Sequence, residues 1–362
     1  MANSNPAVEV TNLAKHYGDV VALRDVNLTI NAGEYFVLLG PSGGGKTTLL
    51  RTIGGFHKPT IGTVKLHGQD VGNLPPDKRP TSMVFQSYAL FPHMTVLGNV
   101  GYGLKIAGLG KNGVRDKSMA MLDVVGLNGF ENRKPHELSG GQQQRVQLAR
   151  ALVLDRDILL LDEPLAALDA QLRKDMCLEL KHLQEKVGIT FIHVTHNQEE
   201  AMTVADRIAL IADGDLVEFG AAQDIYREPD KGFTASFVGE NNVLTGRVAR
   251  VTKTDTDVLI GEQSVITPTR GLAPSVGDEV TLSIRSELVE VGGKGKPTGG
   301  YAIEATYEES VYLGLTTTHL FRLANGQTMM SRVISDGDSQ KMNPGDKITL
   351  SWRTGAMRLH TA

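Results

Sequence analysis

The run Gly40-Pro41-Ser42-Gly43-Gly44-Gly45-Lys46-Thr47-Thr48 follows the apolar stretch YFVLL and precedes TLLRTI. It satisfies the G-x-x-x-x-G-K-[ST] pattern in the strand–loop–helix context that pattern requires. Glycines without Cβ atoms let successive backbone N–H groups converge on phosphate oxygens, and the helix that follows adds the positive end of its dipole. Lys46 offers a mobile cation for β- and γ-phosphates, and the Thr47 hydroxyl a ligand for Mg²⁺. By itself this loop specifies a nucleoside triphosphate and leaves GTPases, kinases and motor ATPases open.

A second cluster lies downstream in Ile158-Leu159-Leu160-Leu161-Asp162-Glu163-Pro164, an apolar strand ending in adjacent carboxylates. Neighbouring side chains on a strand point in different directions, so Asp162 and Glu163 can take separate tasks. Asp162 is placed to hold Mg²⁺ through water, and Glu163 to polarise an attacking water. Gln86 after MVF and His196 in FIHVTHNQEEA also follow apolar strands, where an open α/β sheet binds its ligand. Leu138-Ser139-Gly140-Gly141-Gln142 opens the helix QQQRVQLARALV, with Ser139 near its cap. That is a second anion-binding helix start. One nucleotide does not need two such starts from one subunit, so a head-to-tail pair, in which this motif closes on the partner's phosphate loop, is the economical arrangement.

The elements that must position these residues alternate short apolar strands with helix-length segments over the first ~235 residues. The sequence predicts strands at Val8 to Val10, Tyr35 to Leu39, Met83 to Phe85, Ile158 to Leu161 and Phe191 to Val194, several of them continuous apolar runs as in sheets covered on both faces. A hairpin is predicted from Arg207 to Ala212 and Asp215 to Phe219 around Asp213-Gly214. The stretch from about 87 to 155 interrupts the alternation and reads as an inserted helical subdomain. Beyond a boundary near Phe237 to Asn242, short strands recur with turn signals, among them Thr281 to Ile284, His319 to Leu323, Gln327 to Val333 and Lys347 to Trp352, which suggests a small barrel. Gly292 to Gly300 reads as a flexible loop rather than a phosphate cradle, since neither a helix nor Lys-Thr follows it. The expected organisation is an α/β nucleotide-binding domain over residues 1–238 and an all-β domain over 239–362.

Composition narrows the function classes. The chain has 362 residues, 41% hydrophobic and 22% charged, with a net charge of -4. From Glu240 onward there are 13 basic and 14 acidic residues, which argues against a nucleic-acid partner. The single cysteine, Cys177, fits a reducing compartment and reads as a half-buried helix residue. MANSNPAVEV has neither the basic start nor the apolar core of a signal peptide, and no run approaches the ~18 apolar residues of a spanning helix. The chain is expected in the cytosol, meeting a membrane through a partner.

Taken in order, these motifs resemble the complete set of an ABC-transporter ATPase. The resemblance implies a P-loop NTPase cassette with an inserted helical subdomain, ATP and Mg²⁺ as cofactors, and an ATPase coupled to transmembrane transport. It implies that Tyr17 stacks on adenine, that Gly40, Ser42, Gly43, Gly44, Gly45, Lys46, Thr47 and Thr48 hold the phosphates, and that Gln86 senses Mg²⁺ and the attacking water. Ser139, Gly140, Gly141 and Gln142 resemble the signature donated across a homodimer, and Ala167-Leu168-Asp169 the loop linking its two sites. Asp162 resembles the magnesium aspartate, Glu163 the catalytic base and His196 the γ-phosphate contact.

SYALFPHMTVLGNV resembles importer subunits, where this region meets a short helix of the membrane partner. VGENNVLTGRV, LSIRSE, VYLGLTTTHLFRLANG and GDKITLSWR resemble the transport-associated OB-type barrel of importers for polyamines, ferric iron, sulfate and sugars. Such importers imply two transmembrane permease subunits, a solute-binding protein outside, and peripheral attachment at the cytoplasmic face of the inner membrane. A soluble ATPase acting on ribosomes or DNA and an exporter subunit are the alternatives. The first usually carries tandem cassettes or long coiled insertions, and the barrel and FPHMTV speak against the second. Two residues depart from the pattern: Gly44 stands where many relatives carry Cys or Ser, and Ser286 where Pro is common.

Overall fold

The computed structural model describes residues 6–86, 89–292, 300–335 and 342–360. Packing divides the chain into two units, Met1–Asp224 and Ile225–Ala362. The start of the N-terminal segment, Ser87-Tyr88 of the importer-like segment, and nearly all of the glycine-rich loop read at Gly292 to Gly300 lie outside the described residues.

The first unit is built on a six-stranded sheet. Its parallel strands are β3 (Tyr35–Leu39), β6 (Thr81–Val84), β7 (Ile158–Asp162), β8 (Thr190–Thr195) and β9 (Arg207–Ala212), with β10 (Asp215–Ala221) antiparallel at one edge in the order β10-β9-β3-β8-β7-β6. Every residue of β3, β7 and β8 is buried, which is why β3 and most of β7 read as continuous apolar runs, while β8 also buries Thr190, His193 and Thr195. Asp213 and Gly214 both have positive φ, 50° and 83°, so the β9–β10 connection twists as a tight hairpin should.

A second, antiparallel sheet of β1 (Pro6–Tyr17), β2 (Val20–Asn31), β4 (Ile61–Leu66) and β5 (Gln69–Asp70) shares one apolar core with the first. The sequence reading placed only Val8 to Val10 here. β1 is interrupted by bulges, and Asp25, Asn27 and Lys65 break the apolar texture of its neighbours.

Helix α1 (Lys46–Ile53) packs Leu49, Leu50 and Ile53 into that core. Its last carbonyls receive Arg79, a fully buried guanidinium whose Nη1 donates to Thr52 O at 2.8 Å and Ile53 O at 2.7 Å while Nε reaches Leu74 O at 2.9 Å.

Helices α2 (Val96–Val100), α3 (Tyr102–Ile106), α4 (Lys111–Val124) and α5 (Gly140–Leu152) pack around a core of their own, including Val96, Val100, Leu104, Leu122, Val146 and Ala149. α6 (Ala170–Val187) and α7 (Gln198–Val204) complete the unit; α6 ends on Gly188 at φ 70°, a left-handed cap. Cys177 on α6 is fully buried rather than half-buried, and burial pushes its thiol up to about 12.

The second unit carries two antiparallel five-stranded sheets. One is β13-β12-β11-β14-β20, from β11 (Asn241–Val251), β12 (Asp255–Ile260), β13 (Gln263–Pro268), β14 (Glu279–Arg285) and β20 (Arg358–His360). The other is β15-β19-β16-β17-β18, from β15 (Glu290–Val291), β16 (Gly300–Tyr312), β17 (Thr316–Leu323), β18 (Thr328–Ile334) and β19 (Lys347–Arg353). Both close on one core around Trp352, Phe321 and Leu282, the half-barrel arrangement of an OB-type domain. The short helix Gly232–Phe237 belongs to this unit, packing on β11 and β14. No helix among the described residues is long and apolar enough to cross a membrane.

Candidate functional site

The phosphate loop wraps the start of α1, and its shape demands glycine. A Cβ on Gly40, whose φ is 149°, would sit 1.9 Å from the Ile211 carbonyl oxygen. At Gly44 it would come within 2.8 Å of the same oxygen. Gly44 is also tied down by its own backbone, with N to Pro41 O at 3.2 Å and O from Gly214 N at 3.0 Å. The departure from Cys or Ser at this position therefore sits in a loop braced by the β9–β10 hairpin.

Ala22, Ser42 to Thr48 and Glu163 line one open cleft. Lys46 Nζ donates to Gly40 O and Pro41 O, each at 2.8 Å, and burial pulls its ammonium below the usual lysine range against the pull of Glu163 and Asp162. α1 has no acidic residue in its first turn and no side-chain cap, so its leading amides are directed at the cleft.

Strand β7 delivers the carboxylates. Thr47 Oγ1 donates to Asp162 Oδ1 at 3.0 Å, and the Arg51 guanidinium reaches Asp162 Oδ2 at 3.2 Å. The chain then turns sharply, because Glu163 adopts φ 47°, uncommon for a residue with a side chain, while its N–H donates to Val194 O at 3.1 Å. That turn separates the two carboxylates more fully than strand alternation alone.

Glu163 Oε2 lies 3.4 Å from Gln86 Nε2 and 3.4 Å from His196 Nδ1, so three residues predicted from three separate strands converge. β6 ends at Val84, and Gln86 is carried by the following loop rather than by the strand; Gln147 Nε2 takes the Phe85 carbonyl at 2.9 Å where a ladder bond would go.

Other predicted residues stand apart from this cluster. Ser139 caps α5 with a reciprocal bond to Gln142, and Asp169 caps α6 through Leu172 N at 3.0 Å. Neither they nor Tyr17 line the cleft of their own chain. Tyr17 is 43% exposed, with Lys15 Nζ 4.8 Å above its ring and His57 at its edge.

The structure adds residues that the motif reading passed over. Arg51 lies one helical turn beyond Thr47 and so faces the same carboxylate, a spacing readable in the sequence. Behind His196 lies a buried polar network. Thr195 Oγ1 donates to Glu200 Oε2 at 2.6 Å and accepts from Asn197 N at 2.9 Å, and Glu200 N donates to Asn197 Oδ1 at 3.1 Å. Arg173 Nε stands 3.5 Å from Glu200 Oε1, while its Nη2 donates to Leu168 O at 2.8 Å. His193, fully buried, places Nδ1 3.1 Å from Tyr35 Oη and Nε2 3.8 Å from Glu200 Oε2. Nothing in the sequence separates Arg173 and Glu200 from solvated helix charges.

The ABC transporter domain family matches residues 23–166, and the TOBE domain family residues 282–359. The spermidine/putrescine import ATP-binding protein PotA of Rubrobacter xylanophilus is 44% identical over 356 residues, 96% of this chain and 91% of that protein. The chain belongs to the ABC transporter family of import ATPases. The protein of the same name from Roseobacter denitrificans is 44% identical over 357 residues, 98% of this chain and 97% of that one.

Among solved structures, the ATP-binding cassette MJ0796, described as a dimer bound to ADP and Pi, is 35% identical with a TM-score of 0.53, covering 59% of this chain and 98% of that one. CbiO1 of Clostridium perfringens, part of the ABC transporter complex cbiONQ, is 27% identical with a TM-score of 0.58 over 62% and 92%. An ABC import ATPase binds ATP, and the cleft at the head of α1 has the backbone for it. The OB-type unit corresponds to the family's TOBE domain.

Proposed function

We propose that the chain hydrolyses ATP–Mg²⁺ in the cleft between the phosphate loop and the end of β7, with Glu163 as general base. The convergence of Gln86 and His196 on one Glu163 oxygen carries this reading. Glu163 orients and deprotonates the attacking water, Gln86 holds that water from the opposite side, and His196 contacts the γ-phosphate oxygens as they leave. The amides of Gly43 to Thr48 and the Lys46 ammonium bind the phosphates. Lys46 leaves the carbonyls of Gly40 and Pro41 to do so. Tyr17 stacks on the adenine ring.

The donor set fits Mg²⁺. A hydroxyl, a carboxylate and an amide oxygen, from Thr47, Asp162 and Gln86, are hard oxygen ligands, and no group of three or more His, Cys, Asp or Glu residues among those described offers a metal cage. Magnesium characteristically takes one or two protein ligands and completes its shell with phosphates and water. When bound it neutralises charge on the β- and γ-phosphates.

The signature Ser139 to Gln142 and Asp169 act on the site of a second copy. Ser139 and Asp169 are exposed caps of helices that start off their own cleft, and the related cassette MJ0796 is described as a dimer. ATP binds the closed pair better than the open one, and that difference in affinity moves two permease subunits at the cytoplasmic face of the inner membrane. A solute-binding protein outside supplies the cargo. The names of the relatives, spermidine/putrescine importers at 44% identity, make polyamines the cargo we propose.

Replacing Glu163 with Gln tests the site. It keeps size and removes the base, so turnover should fall by about 10²- to 10⁴-fold while ATP affinity is kept. The Glu163→Gln variant should accumulate as an ATP-bound dimer on size exclusion with Mg²⁺, and Lys46→Ala should not. Near-normal hydrolysis by Glu163→Gln would remove Glu163 from this role.

A further inference from the structure

We infer that Arg173 and Glu200 form a strap that holds the turn bearing His196 against Glu163 and ties it to the loop ending at Asp169, making both of them positioning residues for hydrolysis. This deepens the reading above and rests on it.

His196 is largely exposed, with 54% of its side chain accessible, and among the described residues Glu163 supplies its one ion-pair contact. Its position is therefore set by its backbone. That backbone is held on both sides by the same residue, Glu200, through its carboxylate on one side and its backbone N–H on the other. Thr195, immediately before it, donates its hydroxyl to Glu200, and Asn197, immediately after it, accepts from the Glu200 N–H and donates its own N–H to Thr195.

Glu200 is buried, with 7% of its side chain exposed, and burial holds its carboxyl above the usual range. A carboxylate removed from water needs a cation, and Arg173 supplies it, since burial keeps the other basic group nearby, His193, neutral. Arg173 in turn bonds the carbonyl of Leu168, the residue before the α6 cap. The connection runs Leu168, Arg173, Glu200, Thr195 and Asn197, His196, Glu163, through side-chain and backbone bonds within one unit.

This path has a consequence for the composite site. The loop from Ala167 to Asp169 is the segment proposed to face the second copy. A displacement of Leu168 on closure pulls on Arg173, and through Glu200 it moves the His196 turn toward or away from Glu163. The strap therefore couples the arrival of the partner to the alignment of the reacting groups within this chain. Neither Arg173 nor Glu200 touches nucleotide in this arrangement, so losing either one should spare binding and slow turnover.

The test uses the full chain, with single-turnover hydrolysis of radiolabelled ATP, equilibrium ATP binding and thermal melting measured side by side. Glu200→Ala and Arg173→Gln should each lower the hydrolysis rate by about 10- to 100-fold, the range for a catalytic group displaced by an ångström. ATP affinity should stay within about twofold, because no phosphate contact is lost. The two substitutions combined should cost no more than Glu200→Ala alone, as expected for members of one network. In a His196→Ala background, adding either substitution should change the rate by less than about twofold, since the strap then has nothing left to position.

Arg173→Gln keeps the comparison available if Glu200→Ala fails to fold, since the arginine is partly exposed and Glu200, whose carboxyl burial already raises, can take up a proton rather than remain an unpaired buried charge. Unchanged hydrolysis in both single variants overturns the strap. So does an equal further loss in the His196→Ala background, which would mark a general loosening of the fold. Full activity of Glu163→Gln would instead sink the underlying assignment, leaving the two failures distinguishable.

Discussion

His193 stands at the centre of β8 with no exposed surface, and burial holds its imidazole down to about 3. In the unfolded chain the same ring titrates near the ordinary histidine value of 6.5. Below about pH 6.5 the unfolded chain takes up a proton that the folded one refuses until near pH 3, so acid favours unfolding over that window. The stability is fully present above the window and is lost as pH falls through it. Moving from pH 7 to pH 5 should therefore cost about 2 kcal/mol from this one residue.

Glu200 works in the opposite sense. Its carboxyl is raised by burial, so the folded state holds its proton more tightly as pH falls. The bare pH profile therefore mixes the two, and comparison with a variant separates them. His193→Asn keeps an acceptor where Nδ1 meets Tyr35 Oη but cannot take up a proton. Urea unfolding of both proteins at pH 7, 6 and 5 should show a loss between pH 7 and 5 that is greater by about 2 kcal/mol in the wild type. Any cavity left by the smaller side chain costs the same at every pH and drops out of the difference. Parallel pH dependences in the two proteins would refute the assignment of a buried, neutral His193.

Arg51→Met removes the cation from Asp162, whose side chain is only 6% exposed, and leaves Thr47 as its recorded partner. Discounted for the partial exposure of Arg51, the loss should be about 1–2 kcal/mol, or roughly 2–8 °C in melting temperature for a unit of this size. Scanning calorimetry should also show ATP–Mg²⁺ recovering more of that loss than it adds to the wild type, since the metal replaces the missing charge. Ser139→Arg should bind ATP normally as a monomer and lose hydrolysis, because the signature serves the partner's site; normal turnover would place it elsewhere. The full chain should not bind single-stranded DNA with micromolar affinity at physiological salt, given its acidic balance, and a band shift under those conditions would overturn that expectation.

The buried parallel strands were the most legible part of the fold. Tyr35–Leu39 appears with the limits its apolar run predicts, because a strand covered on both faces admits little else. β2 and β4, antiparallel and half exposed, went unread, since short alternations such as Val26-Asn27-Leu28 and Val64-Lys65-Leu66 carry a weaker signal than a continuous apolar run. In the second unit the strand expected at Lys347 to Trp352 is present and runs one residue further, whereas the thirteen-residue β16, rich in Glu and Tyr, was not foreseen.

At the site, legibility followed spacing. Lys46, Thr47, Asp162 and Glu163 sit in short motifs whose chemistry requires those residue types, and the cleft brings them together. Arg173 and Glu200 are 27 positions apart on two helices and meet only through the packing of α6 on α7, a tertiary fact with no local signature.

The placement of Arg79 changes what α1 offers an anion. A helix normally carries about half a positive charge at its start and half a negative charge at its end. With eight residues, α1 is only about 12 Å long, short enough for the far end to cancel much of the near one. Arg79 puts a permanent charge on the carbonyls of Thr52 and Ile53 and neutralises that far end. A phosphate at Gly45 then faces a single unopposed pole, whose attraction fades with distance more slowly than that of a dipole. The buried guanidinium at the foot of the helix thus extends the reach of the amides at its head, without approaching the nucleotide.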